Sequence, residues 1–244
     1  MTQNPNPFEL IANLNHDLRN PICTINNLLY LLRREISNSA QLEMLEGIER
    51  ANDEIQFLQS NLLDFSKCQS GGLTHYSESF AINHLVLQLI SDFKSRSHAR
   101  EIRLSSKIST EPQIQWEGHK TAIQKLLQLV LSLMVSTSRY SQICIETDIS
   151  HAGQAMSAEI KFRFQGSIEE NQTLLKYFSQ DIHDWHLASI PKTNSDLSLW
   201  LIKAFLQSLN ATIQPSQLDP LNSYFIIKLA MQAALTHPFE FKLV

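Results

Sequence analysis

Glycine is scarce in this chain and unevenly placed. All six glycines of its 244 residues lie at or before Gly166, which leaves the last 78 residues without one. A glycine-rich loop that lets backbone amides wrap a phosphate is therefore excluded from the C-terminal third. Cysteine is also rare. Cys23, Cys68 and Cys144 are far apart and odd in number, so neither a disulfide framework nor a CxxC metal site can be read. No apolar run approaches the roughly 18 residues needed to span a bilayer. The start, MTQNPNPFEL, has no basic segment followed by an apolar stretch, so it does not read as a signal peptide. Excess positive charge is missing too: 20 Lys and Arg stand against 24 Asp and Glu, a net charge of -4. That argues against nucleic acid or an anionic membrane surface as partner. No GxSxG, HExxH, Walker A or Cys/His zinc spacing occurs. What remains is an ordinary globular composition, 43% hydrophobic and 18% charged, long enough for one or two domains. The expected setting is a reducing cytoplasm, with no insertion into a membrane.

Residues 8–36 carry a heptad pattern. Ile11, Leu18, Ile25 and Leu32 are seven apart, and Leu14, Pro21 and Leu28 fill the alternate seam position. Such a stripe suits a helical bundle. Asn6 is placed to cap this helix and Pro7 to sit in its first turn. After the polar break Ser37–Asn38–Ser39, a second stripe runs Met44, Ile48, Ala51, Ile55, Leu58, Leu62, Phe65, and Ser70–Gly71–Gly72 reads as a stop and linker. A lone hairpin cannot bury both faces, so two copies are expected to pair as a four-helix bundle.

Beyond Gly72 the pattern becomes mixed. Phe80–Arg96, Thr121–Val135 and Leu197–Leu209 read as helices. Glu101–Ile108, Gln142–Ile149, Ala158–Phe164 and Tyr224–Met231 read as strands. This order predicts an α+β sandwich with helices on one face of a sheet.

His16 lies two positions before Leu18 and so points away from the seam. Asp17 is its neighbour, and Asn20 is one turn on along the same face. A histidine nucleophile must be partly neutral near pH 7, and the ordinary imidazole pKa of about 6.5 allows that. A nearby carboxylate can orient the ring and take its proton. A carboxamide one turn on can position water, and Pro21 can bend the helix beneath. The string FELIANLNHDLRNPICTINNLLYLL, through Phe8, Ala12, Asn13, His16, Asp17, Arg19, Asn20 and Pro21, resembles the H-box of the dimerisation and phosphotransfer domain of two-component histidine kinases. NLLDFSKCQSGGL, Asn61–Leu73, resembles the end of that domain's second helix and its linker. The resemblance implies His16 as phosphoacceptor, Asp17 as acid/base partner and Asn20 as the phosphatase-type amide, with Arg19 and Pro21 in support. It implies a dimerisation and phosphotransfer domain over 1–72, and an α/β sandwich of the histidine-kinase ATPase type over 73–244.

In the resembled family the second domain binds Mg·ATP with an asparagine-bearing helix, an adenine-reading aspartate and two glycine boxes. This sequence departs from each. Gly118–Ile145 contains no Asn, Asp or Glu, so Leu129 and Leu133, or in a shifted register Ser132 and Ser136, stand where the asparagines would be. The D-x-G-x-G motif should fall near Phe162–Ile168, where the sequence is FRFQGSI, and the second glycine box near Asn194–Ile202, where it is NSDLSLWLI. LLKYF, Leu174–Phe178, keeps the family's pattern before a lid-like stretch. Neither ATP nor Mg²⁺ is expected as a cofactor, and no resident metal is expected.

DIHDWH, residues 181–186, could ligate a transition metal but reads more readily as a solvated loop. His16, Cys23 and Tyr30 share an outer column that could help dock a receiver domain. The expected protein is thus a homodimer exchanging phosphate between His16 and a response-regulator aspartate, with a separate sensor or partner kinase as a further partner. An ATP-dependent autokinase with a divergent site, and a non-enzymatic binder of a receiver or kinase, are the alternatives.

Overall fold

The computed structural model describes residues 7–36, 38–70, 77–108, 115–152, 155–179 and 193–233. The boundary expected at 72/73, the capping Asn6 and the DIHDWH segment lie outside these residues. The chain divides into two compact units, one of Met1–Thr74 with Ile190–Leu201, the other of His75–Ser189 with Ile202–Val244.

The first unit holds a helical hairpin, α1 (Pro7–Glu35) and α2 (Ser39–Ser70). Asn38 starts α2 as its cap, its Oδ1 accepting the Ala40 N–H at 2.9 Å. The buried residues described on the two helices are few and mixed in character. Ile22, Leu29, Leu45 and Phe65 are the buried apolar side chains of the two helices, joined by buried Asn52, Asn61 and Ser66. Asn52 Nδ2 and Gln56 Nε2 both donate to Asn26 Oδ1, at 2.6 and 3.2 Å. Arg33 pairs with Glu49 at 2.6 Å. The heptad stripe read from the sequence faces outward instead: Leu14, Leu18, Ile25, Leu28 and Leu32 on α1, and Met44, Ile48, Ile55 and Leu62 on α2, are all exposed in the single chain.

The second unit is a seven-stranded mixed sheet with helices over one face. Its elements are β1 (Glu78–Phe80), α3 (Ile82–His98), β2 (Arg103–Lys107), β3 (Trp116–Gly118), α4 (Lys120–Thr137), β4 (Gln142–Ala152), β5 (Ala155–Gln165) and α5 (Ile168–Ser179). They are followed by α6 (Asn194–Ser208), which runs across the division between the units, then β6 (Thr212–Asp219) and β7 (Asn222–Ala233). The strand order is β1-β3-β7-β5-β4-β2, with β6 also on β7. The outer edge of β7 is shared, with β6 along Asn222–Lys228 and β3 at Gln232 and Ala233. Burial alternates as a half-covered sheet requires. Ile143 and Ile145, then Ala158, Ile160, Phe162 and Phe164, then Phe225, Ile227 and Leu229 point into the core. The intervening positions carry surface pairs such as Lys228–Glu159 at 2.9 Å and Arg163–Glu146 at 3.9 Å.

All seven segments expected beyond Gly72 are present, each with one or both ends shifted. Phe80 closes a short strand and α3 begins at Ile82. Glu101 belongs to a turn, and Tyr224 is preceded by Asn222 and Ser223 in β7. The strands β1, β3 and β6 and the helix α5 were not expected at all.

Glycine scarcity shows in the backbone. Three non-glycine residues, Glu101, Tyr140 and Asn210, have φ of 56°, 53° and 49°. Asn210 ends α6 in the left-handed conformation often taken there by glycine, with Ala211 N–H returning to Leu206 O at 2.8 Å. Glu101 does the same after α3, where Ile102 N–H reaches Ser97 O at 2.9 Å. Asparagine tolerates this conformation; glutamate is strained in it by about 1–2 kcal/mol. Glu101→Gly should relieve that strain and lose part of the gain to the unfolded chain's added freedom, for a net stabilisation of about 0.5–1 kcal/mol. Urea unfolding of the second unit's transition would measure it.

Candidate functional site

The segment that resembles the H-box is a single stretch of α1. Its helical frame puts His16, Asp17 and Asn20 within one turn, although the His16 side chain lies outside the described positions, as do those of Phe8, Ala12 and Asn13. Asp17, Arg19, Asn20 and Pro21 are exposed. Pro21, inside the helix, has no N–H for the Asp17 carbonyl. Thr24 Oγ1 donates to Asn20 O at 3.0 Å, a back-bond that also favours bending. The turn below His16 is thus open to solvent on all but the Ile22 side, as a site that meets a macromolecular partner requires. Further along the column, Cys23 is exposed. Tyr30 is also exposed, with the Arg34 guanidinium 5.8 Å from its ring centroid.

In the second unit the two possible registers on α4 are separated by burial. Leu129 and Leu133 are core residues, 0% and 2% exposed. Ser132 is half-buried and Ser136 exposed, so the serines occupy the open side. Ser136 donates its hydroxyl to Leu133 O at 2.9 Å, and Arg100 Nη1 donates to Ser136 O at 2.9 Å. This face offers hydroxyls and the amides of Gln124 and Gln128, and no carboxylate. A divalent magnesium site draws on oxygen donors, carboxylates above all; on the open side of α4 only amide and hydroxyl oxygens are offered.

The end of β5 departs from an adenine site in a different way. Two residues before Gly166, where the motif carries its aspartate, stands Phe164, wholly buried. A Cβ on Gly166 would come within 2.5 Å of the Phe164 ring and 2.7 Å of Glu170 Oε2, so glycine is needed there for close packing. Ser167 then caps α5 reciprocally. Its N–H donates to Glu170 Oε2 at 2.9 Å, and its Oγ accepts the Glu170 N–H at 3.2 Å. Glu170 Oε1 also accepts the Arg139 N–H at 2.6 Å, tying the α4–β4 loop to this turn. Buried Asn171 completes the anchor. Its Nδ2 donates to Ser167 O and Leu221 O, at 2.9 and 3.0 Å, and its Oδ1 accepts from Ser223 Oγ at 2.6 Å.

Where a second glycine box was sought, the chain is already helical. α6 opens with another reciprocal cap. Thr193 N–H donates to Asp196 Oδ2 at 3.0 Å, and Asp196 N–H to Thr193 Oγ1 at 3.1 Å. Leu197, Leu199, Trp200 and Leu201 are buried. Within the first unit Trp200 meets Phe65 edge-on, with ring centroids 4.6 Å apart. Helix N-termini attract anions through free N–H groups. At α5 and α6 a carboxylate of the chain already takes that role. The S-x-x-E and T-x-x-D spacings that make these caps were readable in the sequence and went unread there, as did the amide layer of Asn26, Asn52 and Gln56. Among the described residues no group of three or more His, Cys, Asp or Glu is placed to hold a metal, and no helix is long and apolar enough to cross a membrane.

Comparison with known proteins agrees with the N-terminal reading. Residues 8–71 match the His Kinase A (phospho-acceptor) domain. The sensor histidine kinase GacS of Pseudomonas protegens is 25% identical over 135 residues, 55% of this chain and 15% of the relative. Sensor protein GacS of Pseudomonas syringae pv. syringae is 22% identical over 234 residues, 93% of this chain and 25% of the relative. The chain therefore spans a quarter or less of the length of these relatives. In fold it is similar to full-length ShkA, solved in complex with AMPPNP. The TM-score is 0.59 and the identity 14%, covering 93% of this chain and 46% of that one. Residues 8–71 thus match a His Kinase A phosphoacceptor domain, and the chain is similar to two-component sensor histidine kinases.

Proposed function

We propose that this protein carries phosphate on His16, taking it from or returning it to an aspartate of a response-regulator receiver, and that its second unit does not bind Mg·ATP in the family's usual way. The observation that carries the first half is the phosphoacceptor match over 8–71, with His16, Asp17 and Asn20 on one turn of α1. The second half is supported by Leu129 and Leu133 in the core, Phe164 at the aspartate position, and carboxylate caps on α5 and α6.

The transfer needs little from the chain beyond α1. The lone pair of a neutral imidazole nitrogen attacks phosphorus as the P–O bond to the receiver's carboxylate breaks. The electron pair leaves on that carboxylate. The proton on the ring's other nitrogen passes to Asp17 or to solvent, leaving a neutral phosphohistidine. Return of the phosphate runs the same steps backward. For hydrolysis of the receiver's aspartyl phosphate, the exposed Asn20 amide holds water in line with the P–O bond. The magnesium of that reaction sits on the receiver, so the donor set on α4 has no part in it.

The hairpin works as a homodimer. Its outward side carries more large apolar side chains than its inside buries, so the exposed stripes are the surface a second copy covers.

Three outcomes test this reading. Incubated with labelled Mg·ATP, the purified protein acquires no acid-labile phosphate. Offered a phosphorylated receiver, it does, and His16→Ala does not. Labelling from ATP that vanishes in His16→Ala would instead establish an autokinase. Asn20→Ala slows loss of phosphate from the receiver roughly a hundredfold, within the range for a positioned catalytic group, while uptake on His16 persists. Ile55→Glu places a charge in the outward stripe and shifts the protein to monomer in sedimentation equilibrium; an unshifted dimer would move the interface elsewhere.

A further inference from the structure

Residues three and four apart are neighbours on a helix surface. Around His16 these are Ala12, Asn13, Arg19 and Asn20. Every Cα–Cβ bond of a helix tilts toward its N-terminus, so a side chain covers the turn that precedes it. Arg19 and Asn20, on the C-terminal side, therefore lean back over the turn that carries His16. They flank it on opposite sides. Asn20 has a part in the reading above, and Arg19 has none.

Arg19 is also uncommitted. It is exposed, and none of the described residues gives it a carboxylate partner. Its own neighbours on α1 are Asn15, His16, Ile22 and Cys23, with no acid among them. Asp17, two residues before it, is turned to another side of the helix. The other arginines of the hairpin are engaged. Arg33 pairs with Glu49 at 2.6 Å, Arg50 with Glu46 at 3.9 Å, and Arg34 lies 5.8 Å from the Tyr30 ring centroid.

The chemistry at His16 has a use for such a group. A phosphoryl group carries about two negative charges near pH 7, and on His16 it stands one residue from the Asp17 carboxylate. During transfer its equatorial oxygens hold that charge while the bond to nitrogen forms and the bond to the receiver's oxygen breaks. A guanidinium presents N–H donors in a planar fork that matches two such oxygens at once. The next cation along α1 is Arg33, about five turns away, too distant on the helix to take part. Hydrogen bonds from Arg19 move no proton. The balance of the step is unchanged, with the electron pair of the broken P–O bond left on the receiver's carboxylate.

We propose that Arg19 is a catalytic residue of the transfer through His16: its guanidinium donates hydrogen bonds to the equatorial oxygens of the phosphoryl group as it passes between His16 and the receiver. This inference rests on the phosphotransfer reading above and adds to it a residue that touches the group being transferred.

The test compares the full chain with Arg19→Ala and Arg19→Lys in two single-turnover reactions. One donor is a phosphorylated receiver. The other is phosphoramidate, a small molecule that gives up its phosphoryl group with loss of ammonia and needs no docking surface. At saturating receiver, Arg19→Ala takes up phosphate on His16 roughly a hundredfold more slowly, the loss that follows removal of one preorganised donor. Receiver affinity is unchanged. Uptake from phosphoramidate is slowed as well. Arg19→Lys keeps the charge without the fork and falls between the two. Guanidinium ion at a sub-denaturing concentration restores part of the rate to Arg19→Ala and leaves the wild type as it was. The melting temperature does not change, since the side chain is exposed and unpaired. An unchanged rate from both donors overturns the proposal. So does a loss confined to receiver affinity with phosphoramidate uptake intact, which makes Arg19 a docking residue. If the wild type takes up phosphate from phosphoramidate and from no receiver, the phosphotransfer reading fails, and the phosphoramidate rates still decide the role of Arg19. Uptake from neither donor overturns both.

Discussion

The outward-facing apolar stripe of the hairpin is the constraint on which the first unit depends. Leu14, Leu18, Ile25, Leu28 and Leu32, with Met44, Ile48, Ile55 and Leu62, leave more large apolar side chains outside than Ile22, Leu29, Leu45 and Phe65 place inside. Apolar burial is the main favourable term in folding, so two helices arranged in this way gain most of their cohesion from whatever covers them. The chain can then hold polar residues in its interior. Asn52 and Asn61, 3% and 0% exposed, would be a serious burden in a monomeric core, but they are tolerable where the outer seam supplies the stability.

The hairpin was legible because its signal is long and periodic. Several heptads, a proline and an H-D-x-x-N string reinforce one another in the same register. The sequence did not reveal which stripe faces the hairpin partner and which faces outward, since both are apolar at the same period. The second unit was legible where strands alternate over eight or more residues, as in β4, β5 and β7. β1 and β3 have three residues each, too few to display a period. β6, TIQPSQLD, buries only Ile213 and carries a proline, because it lies on one edge of β7 and has little core to face. α5 was obscured by Asn171, a polar residue at a fully buried position, whose hydrogen bonds to a distant turn no local pattern announces.

The missing glycines and the filled helix ends have a shared physical basis. A helix start that is to receive a phosphate must keep its amides free, and nearby glycines let the ligand approach. At α5 and α6 a hydroxyl of the residue before the helix takes one first-turn amide, and at Gly166 the room a small residue creates is occupied by the Phe164 ring. The same local chemistry that stabilises these ends occupies one first-turn amide in each helix and sets a carboxylate beside it. Scarcity of glycine then recurs as strain at Glu101 and Tyr140, where the chain turns without the residue that turns most easily.

Phe164 also constrains the evolutionary path of the chain. Its ring lies at 0% exposure beside Gly166, where it and the Glu170 carboxylate both close on the space a Cβ would fill. Returning an aspartate to that position would bury a carboxylate next to an existing one and empty the volume of an aromatic ring. Each effect costs several kcal/mol by itself, comparable to a large share of a domain's whole stability. A carboxylate at position 164 is therefore incompatible with the packing around Gly166, whatever the rest of the second unit does.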